Sequence, residues 1–296
     1  MIYYGGLDAG CDLFTCVVGD EEGHLLVREK IATDDPERAM AQVFRFFNNF
    51  KIAAIGVSLS PVNIKAVPQL PQLWTRYPIV AKLAERIQVP LSATWQTNAA
   101  AFGELQQGAA RGLDGCLYLS VDETINAGLI VSRRFINGVL ATDIGHLLLQ
   151  RHPKDRYDTR QYSLTHLATL PSIEKRWRKP IHLLPPDHIA WEIEADYLTQ
   201  CVIAYMLIAV PKRIIVALAS DSQPKLLSLM RARLDTVLSV VNPSIAATTS
   251  DNYIVAPQLG HNARLIGILN LAREAMAKGK ARTWAETAAE SQKKMI

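Results

Sequence analysis

The chain has 296 residues, 49% hydrophobic and 20% charged, and its 32 Lys and Arg exceed 28 Asp and Glu for a formal net charge of +4. Such a composition excludes collagen-like, disordered and acidic-tail classes, and a length near 300 is where one core gives way to two lobes. A charge this small argues against a nucleic-acid surface unless the basic residues cluster.

In chain order, the opening segment MIYYGGLDAGCDLF lacks a basic start or a long apolar stretch, and a soluble cytoplasmic protein is expected. Residues 2–18 read as two strands turned at Gly10, and Gly19 to Gly23 is a polar turn into a third strand from Leu25. Asp34 or Asp35 then caps an amphipathic helix that starts at Pro36 and runs to Phe47. Ala53 to Leu59 is a short apolar run of the kind buried in a parallel sheet. Beyond a proline-spaced segment come a helix over 79–87, a strand over 89–93, and a helix with Thr97 as N-cap whose alanines suit close packing on a sheet.

Residues 116–121, 127–131 and 139–140 repeat the opening meander. Helices follow at 172–178, 187–209, 223–241 and 262–278, with buried strands at 214–218 and 253–255 between them. The polar stretch 278–296 reads as one more surface helix, frayed at its end. Cys11, Cys16, Cys116 and Cys201 show no CxxC spacing and lie among apolar neighbours, the pattern of buried free thiols. Two meanders, each followed by α/β elements, predict an α/β chain with the two-lobed actin-like, ribonuclease-H-like ATPase fold and a ligand cleft between lobes. The expected division is 1–117 as a smaller lobe and 118–278 as a larger one, with 279–296 packing back on the first.

Several segments together resemble the bacterial fructokinases of the ROK sugar-kinase family: Asp8-Ala-Gly-Cys-Asp-Leu-Phe, Asn98-Ala-Ala-Ala-Phe-Gly-Glu104, Asp143-Ile-Gly-His146, Arg151-His-Pro153, Ile173-Glu-Lys-Arg-Trp177 and Leu259-Gly-His-Asn-Ala263. They follow the family's order at nearly its spacing over nearly the whole chain. The resemblance implies a catalytic Asp two residues before Asn98, where this chain has Gln96, and an amide cannot accept the sugar's proton. Trp95 precedes it, where a small polar residue would contact sugar. The first phosphate loop carries Asp12 in place of a small donor, and a carboxylate repels a γ-phosphate. The second, glycine-rich in the family, reads Asp122-Glu-Thr-Ile-Asn126, and the glycines bordering adenosine are replaced by Ala217-Leu-Ala-Ser220. His152-Pro153 persists, but Lys154 to Leu164 has none of the zinc-binding cysteines, and Thr165 stands where a sugar-contacting Glu belongs. Asp143 shortens the family's Glu beside His146.

The catalytic candidates are Asp143, His146 and Gln96, and the ligand-binding candidates are Trp95, Asn98, Asp8, Asp12, Thr165 and His166. Each has a plainer reading: Asp8 as a solvated acid beside a turn, His146 as a core histidine satisfied by Asp143. Residues 151–179 hold eight basic and three acidic side chains, either a solvated face or an anion- or partner-binding surface. The expected function is a fructokinase-like protein that has lost ATP-dependent sugar kinase activity, its cleft repurposed for a different small molecule. The alternatives are a non-catalytic regulatory or scaffolding pseudokinase and an atypical fructokinase. No cofactor is expected, since neither ATP with magnesium nor structural zinc finds its family residues, and no ligated metal, nucleic-acid partner or membrane contact is expected either. Relatives imply a homodimer through the larger lobe.

Overall fold

The computed structural model describes residues 1–10, 12–60, 74, 77–136, 144–157, 159–218, 223–241 and 252–278. They form two compact units, 1–107 joined by the segment from His261, and 108–260.

The first unit opens with β1 (Tyr3–Ala9), β2 (Leu13–Gly19) and β3 (Leu25–Ala32), an antiparallel meander. Helix α1 (Pro36–Asn48) follows, and the Asp35 side chain caps it by accepting from the Arg38 amide at 2.7 Å, with Pro36 supplying a preset φ in the first turn. β4 (Ile52–Leu59), α2 (Ile79–Ile87), β5 (Leu91–Trp95) and α3 (Gln96–Gln107) come next. β4 and β5 run parallel to β1, so the sheet order is β3-β2-β1-β4-β5. One face carries α1 and α2, where Leu7, Ile55 and Val57 meet Met40, Val43, Phe46 and Leu83 in a buried core. The other face carries the last described helix, α8 (Ala263–Lys278).

In the second unit β6 (Cys116–Val121), β7 (Ile125–Val131) and β8 (Arg134–Phe135) form another antiparallel meander. Helices α4 (Leu164–Ala168), α5 (Leu170–Trp177) and α6 (Ile189–Ala209), strand β9 (Ile214–Leu218), helix α7 (Gln223–Val241) and strand β10 (Ile254–Val255) complete it. The order β10-β9-β6-β7-β8, with β9 and β10 parallel to β6, repeats the first sheet strand for strand. The first two strands expected in the second meander are thus β6 and β7, and its third is Arg134–Phe135, in a sheet that duplicates the first. Its core sets Leu117, Leu119 and Val216 against Tyr197, Leu198 and Val202 of α6 and Leu226 and Met230 of α7.

Three expectations are revised. The division falls after Gln107 rather than after residue 117, and α8 belongs to the first unit. The reason is steric: a Cβ on Gly56 would lie 1.9 Å from the Ile268 carbonyl oxygen, so α8 rests directly on β4. The alanines of α3 pack chiefly on α8, not on a sheet. β5 extends to Trp95 and α3 begins at Gln96, so Thr97 lies inside the helix rather than capping it. Strand 139–140 and helix 279–296 lie outside the described residues. Cys16, Cys116 and Cys201 are buried free thiols, with burial pushing the Cys201 thiol up to about 12, while Cys11 lies outside the described residues. No described helix is long and apolar enough to cross a membrane.

Candidate functional site

In the first unit the site is built by strand register. Asp8 pairs with Ser58, and Ser58 with Thr94, so the three stand in one row across β1, β4 and β5 at the carboxyl ends of parallel strands. Side chains alternate along a strand, and Gly6 and Gly56 both face Ile268 of α8, so Asp8 and Ser58, two residues on, share that face. Carboxyl ends of parallel strands are where open α/β sheets place their ligands.

Asp8 is 4% exposed and fully engaged. Its Oδ1 accepts from Ser58 Oγ at 2.6 Å and from Gln96 Nε2 at 2.8 Å, and its Oδ2 lies 3.2 Å from Arg264 Nη2 at the start of α8. A carboxylate only accepts, which fixes the Gln96 amide with its nitrogen toward Asp8. The arrangement rejects the reading of Asp8 as a solvated acid. Trp95 is buried beside this row at the end of β5, Asn98 is buried on α3, and Asp12 is exposed in the turn after β1. Thr94 Oγ1 is buried and has no hydrogen-bond partner among the described residues. Sequence reading singled out Asp8 and Gln96 but missed Ser58, Thr94 and Arg264. Ser58 was signalled only as a lone serine in the apolar β4 run and Arg264 only as an arginine directly after the Leu259 to Ala263 segment, while Thr94 had no signal.

The second unit holds the rest of the candidates. The 3-10 turn Ile144–His146 packs on α4, with Gly145 against Thr165, where a Cβ would lie 2.1 Å from Oγ1. Thr165 contributes its carbonyl, which accepts from Thr169 Oγ1 and Ser172 Oγ, both at 3.0 Å. His146 is exposed, so it is not a core histidine, and Asp143 lies outside the described residues. His166 is exposed, with Nδ1 2.6 Å from Ser163 Oγ.

Where the resemblance implies phosphate and zinc, other interactions stand. Asp122, Glu123 and Thr124 form an exposed turn in which Asp122 N donates to the Thr124 carbonyl at 3.1 Å, so an approaching phosphoryl group meets two carboxylates. In the second unit, His152 Nδ1 accepts from Lys154 N at 3.2 Å, and buried Asp155 Oδ2 lies 3.2 Å from Arg176 Nε and accepts from Tyr197 Oη at 2.6 Å. An ion pair thus braces the segment after His152. The residues there do not fit a four-ligand zinc site. Among the described residues only Asp20, Glu22 and His24 group ligand atoms, and hydrogen bonds within that exposed turn already engage Asp20.

Glu194 lies close to this ion pair, wholly buried, with no hydrogen-bond partner for either oxygen among the described residues. Burial holds its carboxyl well above the usual carboxylate range, and the Arg176 charge opposes this only in part. The folded chain therefore keeps a proton that the unfolded chain loses. Stability contributed in this way is present below the ordinary Glu value and falls as pH rises from there through the raised one. Melting temperature followed across pH should show that decline in the native chain and lose it in Glu194→Gln; parallel profiles would refute it.

Comparison with known proteins places this arrangement in context. A family model described as the ROK family matches residues 4–275. A Bacillus subtilis (strain 168) protein described as "Putative fructokinase" is 34% identical over 288 residues, spanning 92% of this chain and 96% of that protein. The fructokinase of Pediococcus pentosaceus is 28% identical over 287 residues, spanning 92% and 98%. A solved ROK hexokinase from Thermus thermophilus matches with a TM-score of 0.72 at 21% identity, over 94% of this chain and 100% of that one, and so shares its fold.

Proposed function

Because this chain belongs to the ROK family and is a homologue of bacterial fructokinases, we propose that it keeps their fold without their phosphoryl transfer from ATP to sugar, and holds a different, uncharged small molecule at the Asp8 row. The observation that carries this reading is the contact of Gln96 Nε2 with Asp8 Oδ1 at 2.8 Å while Arg264 balances the same carboxylate. Sugar phosphorylation calls for a base at the position of Gln96 and for a site able to gather negative phosphates. Here the base position is an amide that donates, and the nearest carboxylate is already neutralised. A row of Ser58, Thr94, Gln96 and Asp8 whose one carboxylate is balanced by Arg264 suits hydroxyl groups better than phosphates, and the buried Thr94 hydroxyl has no partner among the described residues.

The decisive measurement is titration calorimetry with ATP and magnesium, paired with a fructose phosphorylation assay. The expected result is no saturable nucleotide binding and no turnover. Restoring a carboxylate with Gln96→Asp is expected to give no turnover either, because the Asp122 turn is unchanged. That substitution sets two carboxylates in contact, at a cost on the order of 1 kcal/mol that grows with pH as the pair ionises. The atypical fructokinase is the rival reading, favoured by 34% identity to the Bacillus subtilis protein over 92% of the chain. Saturable ATP-dependent turnover with fructose, lost in Gln96→Ala, would establish it and overturn the proposal.

A further inference from the structure

The basic excess of residues 151–179 is distributed unevenly once the chain is folded. Arg176 pairs with Asp155, Lys154 Nζ lies 2.9 Å from Glu192 Oε1, and Arg151 donates to the Tyr157 carbonyl. Glu174 Oε1 is taken by the Ile181 amide at 3.0 Å. Arg160 and Lys175 make no ion pair or hydrogen bond with any described residue. Both line one cavity of about 400 Å³ in the second unit, together with Tyr157, Thr159, His166 and Ser172. Among the described residues no Asp or Glu lines it.

The walls of this cavity are held in place by their own bonds. Thr159 Oγ1 accepts from the Gln161 amide at 3.1 Å, Asp155 Oδ1 accepts from the Tyr157 amide at 2.8 Å, and the Arg176 guanidinium lies 5.6 Å from the centre of the Tyr157 ring. Ser172 Oγ is anchored on the Thr165 carbonyl, and Ser163 engages His166 Nδ1, which leaves Nε2 as that ring's remaining polar atom. Two cations with no acid partner among the described residues, and an imidazole beside them, around a small-molecule-sized cavity make a complement for a compact, multiply charged anion. The phosphoryl group carries nearly two negative charges at neutral pH and three acceptor oxygens. We propose that this pocket binds the phosphoryl group of a phosphorylated small molecule or free phosphate, independently of the Asp8 row.

The test is calorimetric titration of the full chain with inorganic phosphate and with fructose 6-phosphate, and with fructose as the uncharged control. Both phosphates are expected to bind saturably and more weakly as salt rises. The double variant Arg160→Ala/Lys175→Ala should weaken them by about tenfold or more and leave any fructose binding unchanged. A tighter sugar phosphate would identify an ester as the ligand, and equal affinities the free anion. Both side chains are exposed, so the variant should melt at the native temperature, which verifies folding. The proposal is overturned if neither phosphate binds saturably, or if the double variant binds them undiminished.

Discussion

Replacing Gly267 with alanine is expected to destabilise the first unit by about 3 kcal/mol or more, although the same change in an ordinary helix interior stabilises by roughly 0.5–1 kcal/mol. The reversal comes from two small-residue steps that face each other across α3 and α8. A Cβ on Gly267 would lie 1.8 Å from the Ala99 carbonyl oxygen, and one on Gly103 would lie 2.0 Å from that of Ala263. Ala99 and Gly103 are four apart, as are Ala263 and Gly267, so each glycine receives the other helix's carbonyl on one matched stripe. The obstruction is backbone, which no rotamer change relieves. Accommodating one methyl means moving α8 off α3, and the same helix is held against β4 by Gly56. Denaturant unfolding of Gly267→Ala and Gly103→Ala measures the loss. Gly112→Ala is an unsuitable control because Gly112 has φ +83, whereas an exposed helical alanine changed to glycine calibrates the ordinary propensity effect. Native stability in both variants would mean that the two helices do not pack this closely.

Arg176→Met should cost the second unit about 3–5 kcal/mol, because it strands charge in a buried place. The Arg176 and Asp155 side chains are 4% and 0% exposed, so solvent screens their pairing little. The guanidinium also donates to the Leu167 carbonyl at 2.6 Å and lies 5.6 Å from the centres of the Tyr157 and Tyr197 rings. Once it is gone, Asp155 keeps the Tyr197 hydroxyl and the Tyr157 amide but no opposite charge, and nothing eases the burial of Glu194. The pair is separable from mere loss of volume by a second variant. Arg176→Met combined with Asp155→Leu removes both charges and is expected to recover a large part of the loss, since an apolar replacement of a buried pair is often neutral. A double-mutant cycle by thermal or chemical unfolding gives the coupling, and a coupling near zero would show that the ion pair does not brace this unit.

Local rules carried much of the fold. The boundaries of α2 and α7 and of β6 and β9 match the sequence reading, because hydrophobic period and short apolar runs speak for themselves over a few residues. Asp35 and Pro36 start α1 by chemistry confined to one turn. The duplicated meander, too, was legible, since tight turns pair strands that are close in sequence. In the candidate site, Asp8 and Gln96 stood out by residue type at motif positions. His146 was singled out as well, but its exposure could not be foreseen from a glycine-histidine pair.

The order and type of most elements, the family resemblance and the altered chemical positions are therefore legible in the residues alone. What those positions touch follows from packing. Asp8 and Arg264 lie at opposite ends of the chain, and their pairing follows from α8 returning to the first sheet, which depends on glycines at Gly56, Gly103 and Gly267 letting backbones approach. Ser58 and Thr94 join Asp8 through parallel strand register, which no local pattern encodes because the strands meet through long connections. The pairing of Arg176 with Asp155 likewise separates a braced interior charge from Arg160 and Lys175, which pair with no described residue, a distinction invisible in a basic run counted residue by residue. Periodicity and capping act within a turn or two of the chain, whereas charge compensation and cavity lining are properties of contacts between distant segments. They exist only once packing has selected which surfaces meet.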